Sequence, residues 1–89
     1  MEKAKIIKEL IKRKVIKEET EVEVEHWTSG FGTTGFHIKS IFAIDQINND
    51  MSFVGHSIVD GKQMSFDHTQ VHSIDGMEPT KLAKAFNIK

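Results

Sequence analysis

The apolar positions of this 89-residue chain change period twice, and the changes divide it into three parts. Over residues 3–16, Ala4, Ile7, Leu10 or Ile11, and Val15 recur at three- and four-residue spacing while Lys5, Lys8, Lys12 and Arg13 take the other faces. That spacing predicts an amphipathic helix, and Glu9 stands four before Arg13, the favourable order for a helical ion pair. From "TEVEVEHW" onward the period is two. Val22, Val24 and His26 face one way and Glu21, Glu23 and Glu25 the other, as in a half-buried strand with an acidic outer face. "FHIKSIFAIDQI" alternates through Phe36, Ile38, Ser40, Phe42 and Ile44, "NND" at 48–50 is a turn, and "MSFVGHSIV" is a third strand. Gly55 within it marks a bend, a bulge or a close backbone approach. "DG" at 60–61 predicts a tight primed hairpin turn. "KQMSFDH" and "TQVHSI" are two short strands separated by a kink, and a second "DG" at 75–76 ends the sheet. "EPTKLAKAF" predicts a short helix within 78–87, with Pro79 in its first turn and Leu82, Ala83 and Phe86 on one face.

These elements predict an α+β fold in one domain: an N-terminal helix, a five-stranded, strongly bent antiparallel sheet over 20–75, and a short C-terminal helix. No crossover helix is long enough for a parallel sheet. A sheet this small hides its edges best by curling into a partly open small barrel, with the terminal helices capping its ends.

Composition narrows the chemistry. With 38% hydrophobic and 28% charged residues the chain suits a soluble globule, and with no cysteine it has neither disulfides nor thiolate metal sites. No apolar run approaches the ~18 residues of a membrane span, so a cytoplasmic protein without a membrane partner is expected. The net charge of −1 conceals an asymmetry: residues 1–17 sum to +5, residues 18–78 to −9 and residues 79–89 to +3. Basic ends around an acidic middle suit a nucleic-acid-binding arm. They equally suit ends that fold back on the body, or oppositely charged faces that meet in an oligomer.

"GFGTTG", Gly30 to Gly35, spells the glycine pattern of phosphate-binding loops. A cradle of that kind needs a helix after the loop, whereas the residues that follow alternate as a strand. A hairpin loop is therefore expected. Trp27, Phe31 and Phe36 lie in or beside it, flanked by His26 and His37. Trp27 and Phe36 sit at strand ends and are expected to pack in the core or at the barrel end. Phe31, between two glycines, is expected to be exposed, where it could stack on bases or anchor an interface.

No cofactor is expected. Five histidines invite a metal, but His68 and His72 lack a third and fourth ligand in any recognised spacing, so no metal site is assigned. Ser65, Asp67 and His68 contain the letters of a catalytic triad, yet neighbours in a strand point to opposite faces, so Asp67 cannot orient His68. No catalytic residue is assigned and no enzyme activity is expected.

The order of a helix and five strands, the last two joined by a kink, resembles the Sm-like fold, and more loosely other SH3-like barrels. The local match is to the Hfq family of bacterial Sm-like RNA chaperones. "QMSFDH", Gln63 to His68, is similar to that family's Q-M-x-Tyr-Lys-His motif, with Phe66 at the aromatic position and His68 at the histidine. "IKSIFAIDQ" looks like its second strand, with I-x-S and D-Q elements. Asp67 stands where that family has the lysine of its uridine-binding pore, and "TSGFGTTG" is longer than the family's first strand turn. A carboxylate at a phosphate-facing position repels RNA.

Three functions remain open. One is a small barrel that binds single-stranded RNA or DNA, using Lys5, Lys8, Lys12 and Arg13 with Phe31 or His37 stacking. Another is a protein-interaction or regulatory module of phage or mobile-element type, whose acidic strand (Glu21, Glu23, Glu25) docks on a basic protein partner. The third is a ring-forming homo-oligomer, with strands pairing across subunits as Sm-like barrels do.

Overall fold

In the computed structural model, which describes residues 2–28 and 35–88, α1 spans Lys3–Lys12 and buries Ile6, Ile7 and Leu10. The helix stops at Lys12, four residues short of the predicted end, because Lys14 adopts φ 62°. The Val15 amide then reaches back to the Leu10 carbonyl (2.9 Å) and the Lys14 amide to that of Ile11 (3.1 Å). This is the paired bonding of a Schellman C-cap, normally built on glycine. The reversal sends Ile16 back into the core at 1% exposure.

The sheet contains β1 (Glu21–Thr28), β2 (Phe36–Ile47), β3 (Ser52–Ser57), β4 (Gln63–Asp67) and β5 (Val71–Ile74), all antiparallel, in the order β4-β3-β2-β1-β5. Consecutive strands β4 and β5 thus occupy opposite edges, yet only a single 3-10 turn, His68–Gln70, joins them. Four strand spacings in a flat sheet would cover ~19 Å, while three residues of 3-10 helix advance only ~6 Å. The sheet is therefore bent and open, an α+β fold as the sequence predicts. Register shifts at His72 of β5, opposite Glu23 and Val24, and at Asp45 of β2 supply local bends.

Alternation sets the inner face of β1 and β2, and Val22, Val24, Phe42, Ile44, Phe53 and Phe66, with Val71 and Ile74 brought to one side by the irregularity at His72, form one buried cluster with α1, Ile16 and the C-terminal helix. Phe66 stacks on Phe53 with ring centroids 5.5 Å apart and tilts against Phe42 at 5.7 Å. Gly55 marks a close approach: a Cβ there would lie 2.8 Å from the Ala43 carbonyl and 3.1 Å from the Phe66 ring.

The two Asp-Gly turns differ. At 75–76 both residues take positive φ (50° and 82°), and Ile74 and Met77 exchange backbone hydrogen bonds across a primed turn. At 60–61 only Gly61 does (φ 72°), because Ser57 pairs with Lys62 and the loop holds four residues, so the tight turn expected there is not formed. The kink between the last strands is the 3-10 turn, capped by Asp67, whose carboxylate accepts hydrogen bonds from the Thr69 amide (2.9 Å) and hydroxyl. Gln70 returns the contact to the Asp67 amide at 3.1 Å, completing a capping box.

The second helix, α2 (Pro79–Ala85), buries Leu82 and Ala83 but leaves Phe86 exposed, against the expectation that all three share a buried face. Its end repeats that of α1: Asn87 takes φ 54°, and the Ile88 amide reaches the Ala83 carbonyl at 2.8 Å, which turns Ile88 inward in place of Phe86. Arg13 joins the two helix ends by donating a hydrogen bond to the Phe86 carbonyl. At the other end of α1, Lys3 Nζ donates to the Thr69 carbonyl at 3.1 Å. Burial lowers the Lys3 pKa below the usual lysine value, against the opposing pull of the Glu25 and Asp67 carboxylates. Among the described residues no helix is long and apolar enough to cross a membrane.

Two outcomes follow. Asn87→Gly relieves a left-handed residue and is expected to raise unfolding free energy by about 0.5–1 kcal/mol in urea titrations; a loss would contradict the helix ending described. The Thr69 hydroxyl and amide hold the Asp67 carboxyl below its ordinary range. A carboxyl depressed on folding stabilises the protein above the unfolded pKa of about 3.9, and that contribution is lost as pH falls through the folded value. Asp67→Ala should thus cost about 0.5–1 kcal/mol at neutral pH, with the gap to wild type closing in acid. A gap unchanged at pH ~2 would show that the carboxylate charge is not the cause.

Candidate nucleic-acid interface

The Schellman ending of α1 and the turn between β2 and β3 face each other across an open groove of about 760 Å³. Its rim carries the exposed ammonium groups of Lys8, Lys14 and Lys17. Its floor is apolar, from Ile11, Ile16, Ile47 and Met51. On the turn side, Met51 at φ 64° closes a three-residue loop over which the Met51 amide bonds the Asn48 carbonyl at 3.1 Å. Asn48 is held by Gln46 (2.6 Å) and Ser52 (2.9 Å), leaving Asn49 as the exposed amide. Glu18 and Asp50 are the opposing charges of the lining. Asp50 is engaged locally: the Ser52 hydroxyl (2.6 Å) and amide (3.0 Å) bond its carboxylate and hold its pKa below the usual value.

Of the residues singled out by sequence, Lys8 lies in this groove and Lys5 and Lys12 are exposed on α1. Arg13 is committed to structure, since its guanidinium bonds the Phe86 carbonyl and pairs with Glu9 at 3.4 Å. Phe31 lies outside the described residues. His37 stands near the start of the 12-residue β2, whereas the groove is at the far end of that strand. The structure therefore does not bring His37 together with Lys8. Lys14, Lys17 and Asn49 escape helical periodicity, because reading the helix to residue 16 places Lys14 and Val15 on a turn that does not form.

The outer face of the sheet is of opposite character. Glu21, Glu23 and Glu25 point away from the core, as alternation requires, and are joined there by Asp45 from the bulged end of β2. Three histidines are apportioned one to each of three carboxylates: His56 to Asp45 at 2.8 Å, His37 to Glu25 at 3.7 Å and His72 to Glu23 at 3.7 Å. His26 turns inward and pairs with Ser40 at 3.0 Å. His68 sits in the 3-10 turn, apart from His72 on β5. No group of three metal-ligating side chains is gathered among the described residues. The Asp67 carboxylate serves Thr69, not His68.

Trp27 corrects an expectation. It is 58% exposed on the outer face, with its indole nearly perpendicular to the His37 ring at a centroid distance of 5.1 Å. The ring lies over the Gly35 backbone, where an added Cβ would come within 2.3 Å of the indole. The last glycine of "GFGTTG" thus makes room for an aromatic ring, and β2 rather than a helix follows it. Comparison with protein-family models, curated proteins and solved structures gives no match.

Trp27 is the chain's single tryptophan, so its spectrum reports this packing alone. Gly35→Ala is expected to displace the ring, changing Trp27 emission and near-ultraviolet circular dichroism while the far-ultraviolet spectrum is retained. Superimposable tryptophan spectra would show that the ring does not rest on Gly35.

Proposed function

We propose that this chain is a non-enzymatic small-barrel module that binds single-stranded nucleic acid, RNA foremost, in the groove between α1 and the β2–β3 turn. The observation that carries this reading is a groove lined by Lys8, Lys14 and Lys17 on its α1 side together with the apolar Ile11, Ile16, Ile47 and Met51. Ammonium groups at the rim suit backbone phosphates, which supply most of the affinity of such complexes. The floor of Ile11, Ile47 and Met51 suits the face of an unstacked base, and the Asn49 amide can both donate to and accept from a base edge. The outer sheet face, rich in carboxylates, repels phosphate.

A ring-forming oligomer is a second reading, favoured by the two sheet edges, β4 and β5, each of which has among the described residues a strand partner on one side only. Such edges can pair with a second chain.

The first reading is tested by fluorescence anisotropy of a short labelled single-stranded RNA over a salt series. With three lysines engaged, log affinity should fall with log salt at a slope of about −2. Lys8→Gln, Lys14→Gln and Lys17→Gln should each flatten the slope by ~0.7. No binding at low salt, or binding indifferent to all three substitutions, would overturn the proposal.

A further inference from the structure

The lysine groove also holds two carboxylates, Glu18 and Asp50. Among the described residues neither makes an ion pair. A carboxylate beside a nucleic-acid strand repels its phosphates, so its presence in the groove is offset only where the strand brings a donor to it.

Asp50 is the more firmly held of the two. Its turn is closed by the Met51 amide on the Asn48 carbonyl (3.1 Å) and by the Asn48 amide on the Ser52 carbonyl (2.9 Å). The Asp50 Oδ1 accepts both the Ser52 hydroxyl (2.6 Å) and the Ser52 amide (3.0 Å), which fixes the orientation of the side chain. Its Oδ2 accepts no hydrogen bond among the described residues and keeps its lone pairs for an outside donor. Asn49, the preceding residue, lines the same groove with an exposed amide, while the amide of Asn48 is occupied by Gln46 and Ser52. Glu18 is exposed, and no hydrogen bond among the described residues orients its side chain. Two consecutive residues of one turn thus supply the groove with a neutral donor, Asn49 Nδ2, and a fixed anionic acceptor, Asp50 Oδ2.

The Watson–Crick edges of the four RNA bases meet such a pair differently. Guanine presents the acceptor O6 and then two adjacent donors, N1–H and N2–H2. In adenine, cytosine and uracil every donor on that edge has an acceptor beside it, whose lone pair opposes an approaching carboxylate. Guanine alone offers a carboxylate oxygen two donors side by side.

We propose that Asp50 is the specificity-determining residue of the groove and selects guanine within a single strand, its Oδ2 accepting from N1–H and N2–H2 while the Asn49 amide donates to O6. This selection rests on the nucleic-acid reading of the groove and adds to it a preference among bases. The lysines hold the phosphates, the apolar floor takes the face of the guanine ring, and the carboxylate meets the base edge. With any other base its charge remains as repulsion.

The experiment is fluorescence anisotropy of the full chain with a short labelled oligouridylate and with the same strand carrying one central guanosine, adenosine, cytidine or inosine. The guanosine strand is expected to bind at least about fivefold tighter than the uridine, adenosine and cytidine strands. Inosine keeps O6 and N1–H but lacks the N2 amine, so its strand should fall between guanosine and uridine. Asp50→Asn keeps an oxygen for Ser52 and places an N–H2 group where Oδ2 stood. It should abolish the guanosine preference and tighten binding of the plain oligouridylate, because one negative charge is removed. Glu18→Gln should tighten all strands alike and leave the preference intact. Lysine-dependent binding that ranks the strands equally would overturn the selection of guanine alone, whereas no binding of any strand would remove the groove reading together with it. A preference that survives Asp50→Asn, or is lost in Glu18→Gln, would overturn the role of Asp50. Equal loss of all strands in Asp50→Asn would do the same, since the carboxylate would then serve the fold and not the base. Guanosine monophosphate that displaces the guanosine strand at that strand's own concentration would assign the site to a free nucleotide and overturn it as a reader of a strand.

Discussion

Three residues, His68 to Gln70, connect strands that lie at opposite edges of a five-stranded sheet, and most of the architecture follows from that short reach. The sheet has to bend until its edges approach, which makes one face concave and the other convex. The concave face takes the alternating Val, Ile and Phe side chains. α1 and α2 then close it, each with only three buried positions of its own. Gly55 belongs to the same bend, because the backbone of β2 and the ring of Phe66 leave no space for a side chain there. The capping box of Asp67 and Gln70 matters beyond its local energy, since it fixes the geometry of the link that sets the curvature.

Curvature also sorts charge. The convex face receives the glutamates of β1, while the helices that close the concave side are the two most basic segments of the chain. Opposite signs are thus separated in space even though the net charge is only −1. A net value near zero would suggest a chain with little electrostatic character. The distribution instead gives two surfaces of opposite sign.

Strand periodicity made the sheet legible, since inner and outer positions of β1 and β2 follow directly from alternation. Helix endings were harder. A glycine usually announces a left-handed cap, but Lys14 and Asn87 hold those positions here, so the pattern of apolar residues runs on past the true end of α1 and does not show that Phe86, at the end of α2, stays 40% exposed. The same Asp-Gly dipeptide makes a primed turn at 75–76 and a four-residue loop at 60–61, because cross-strand pairing chooses the loop and the dipeptide only permits it. The candidate site was half visible. Lys8 is read from the basic face of the helix, but Lys14, Lys17 and Asn49 become a group only when the β2–β3 turn folds against the end of α1. His37 was grouped with the lysines by charge and aromatic neighbours, and only the length of β2 separates them.

The tethers of α1 bear on when that helix is seated. Its two ends are held by the Thr69 carbonyl, 66 positions away, and by the Phe86 carbonyl, 73 positions away. Contacts that span so much sequence close late, because the intervening chain must be ordered before they form. The helix forming one wall of the lysine groove is therefore fully tethered only once Thr69 and Phe86 are in place. Every lysine of the groove lies within residues 8–17, yet the wall that carries Lys8 is tethered through residues at positions 69 and 86.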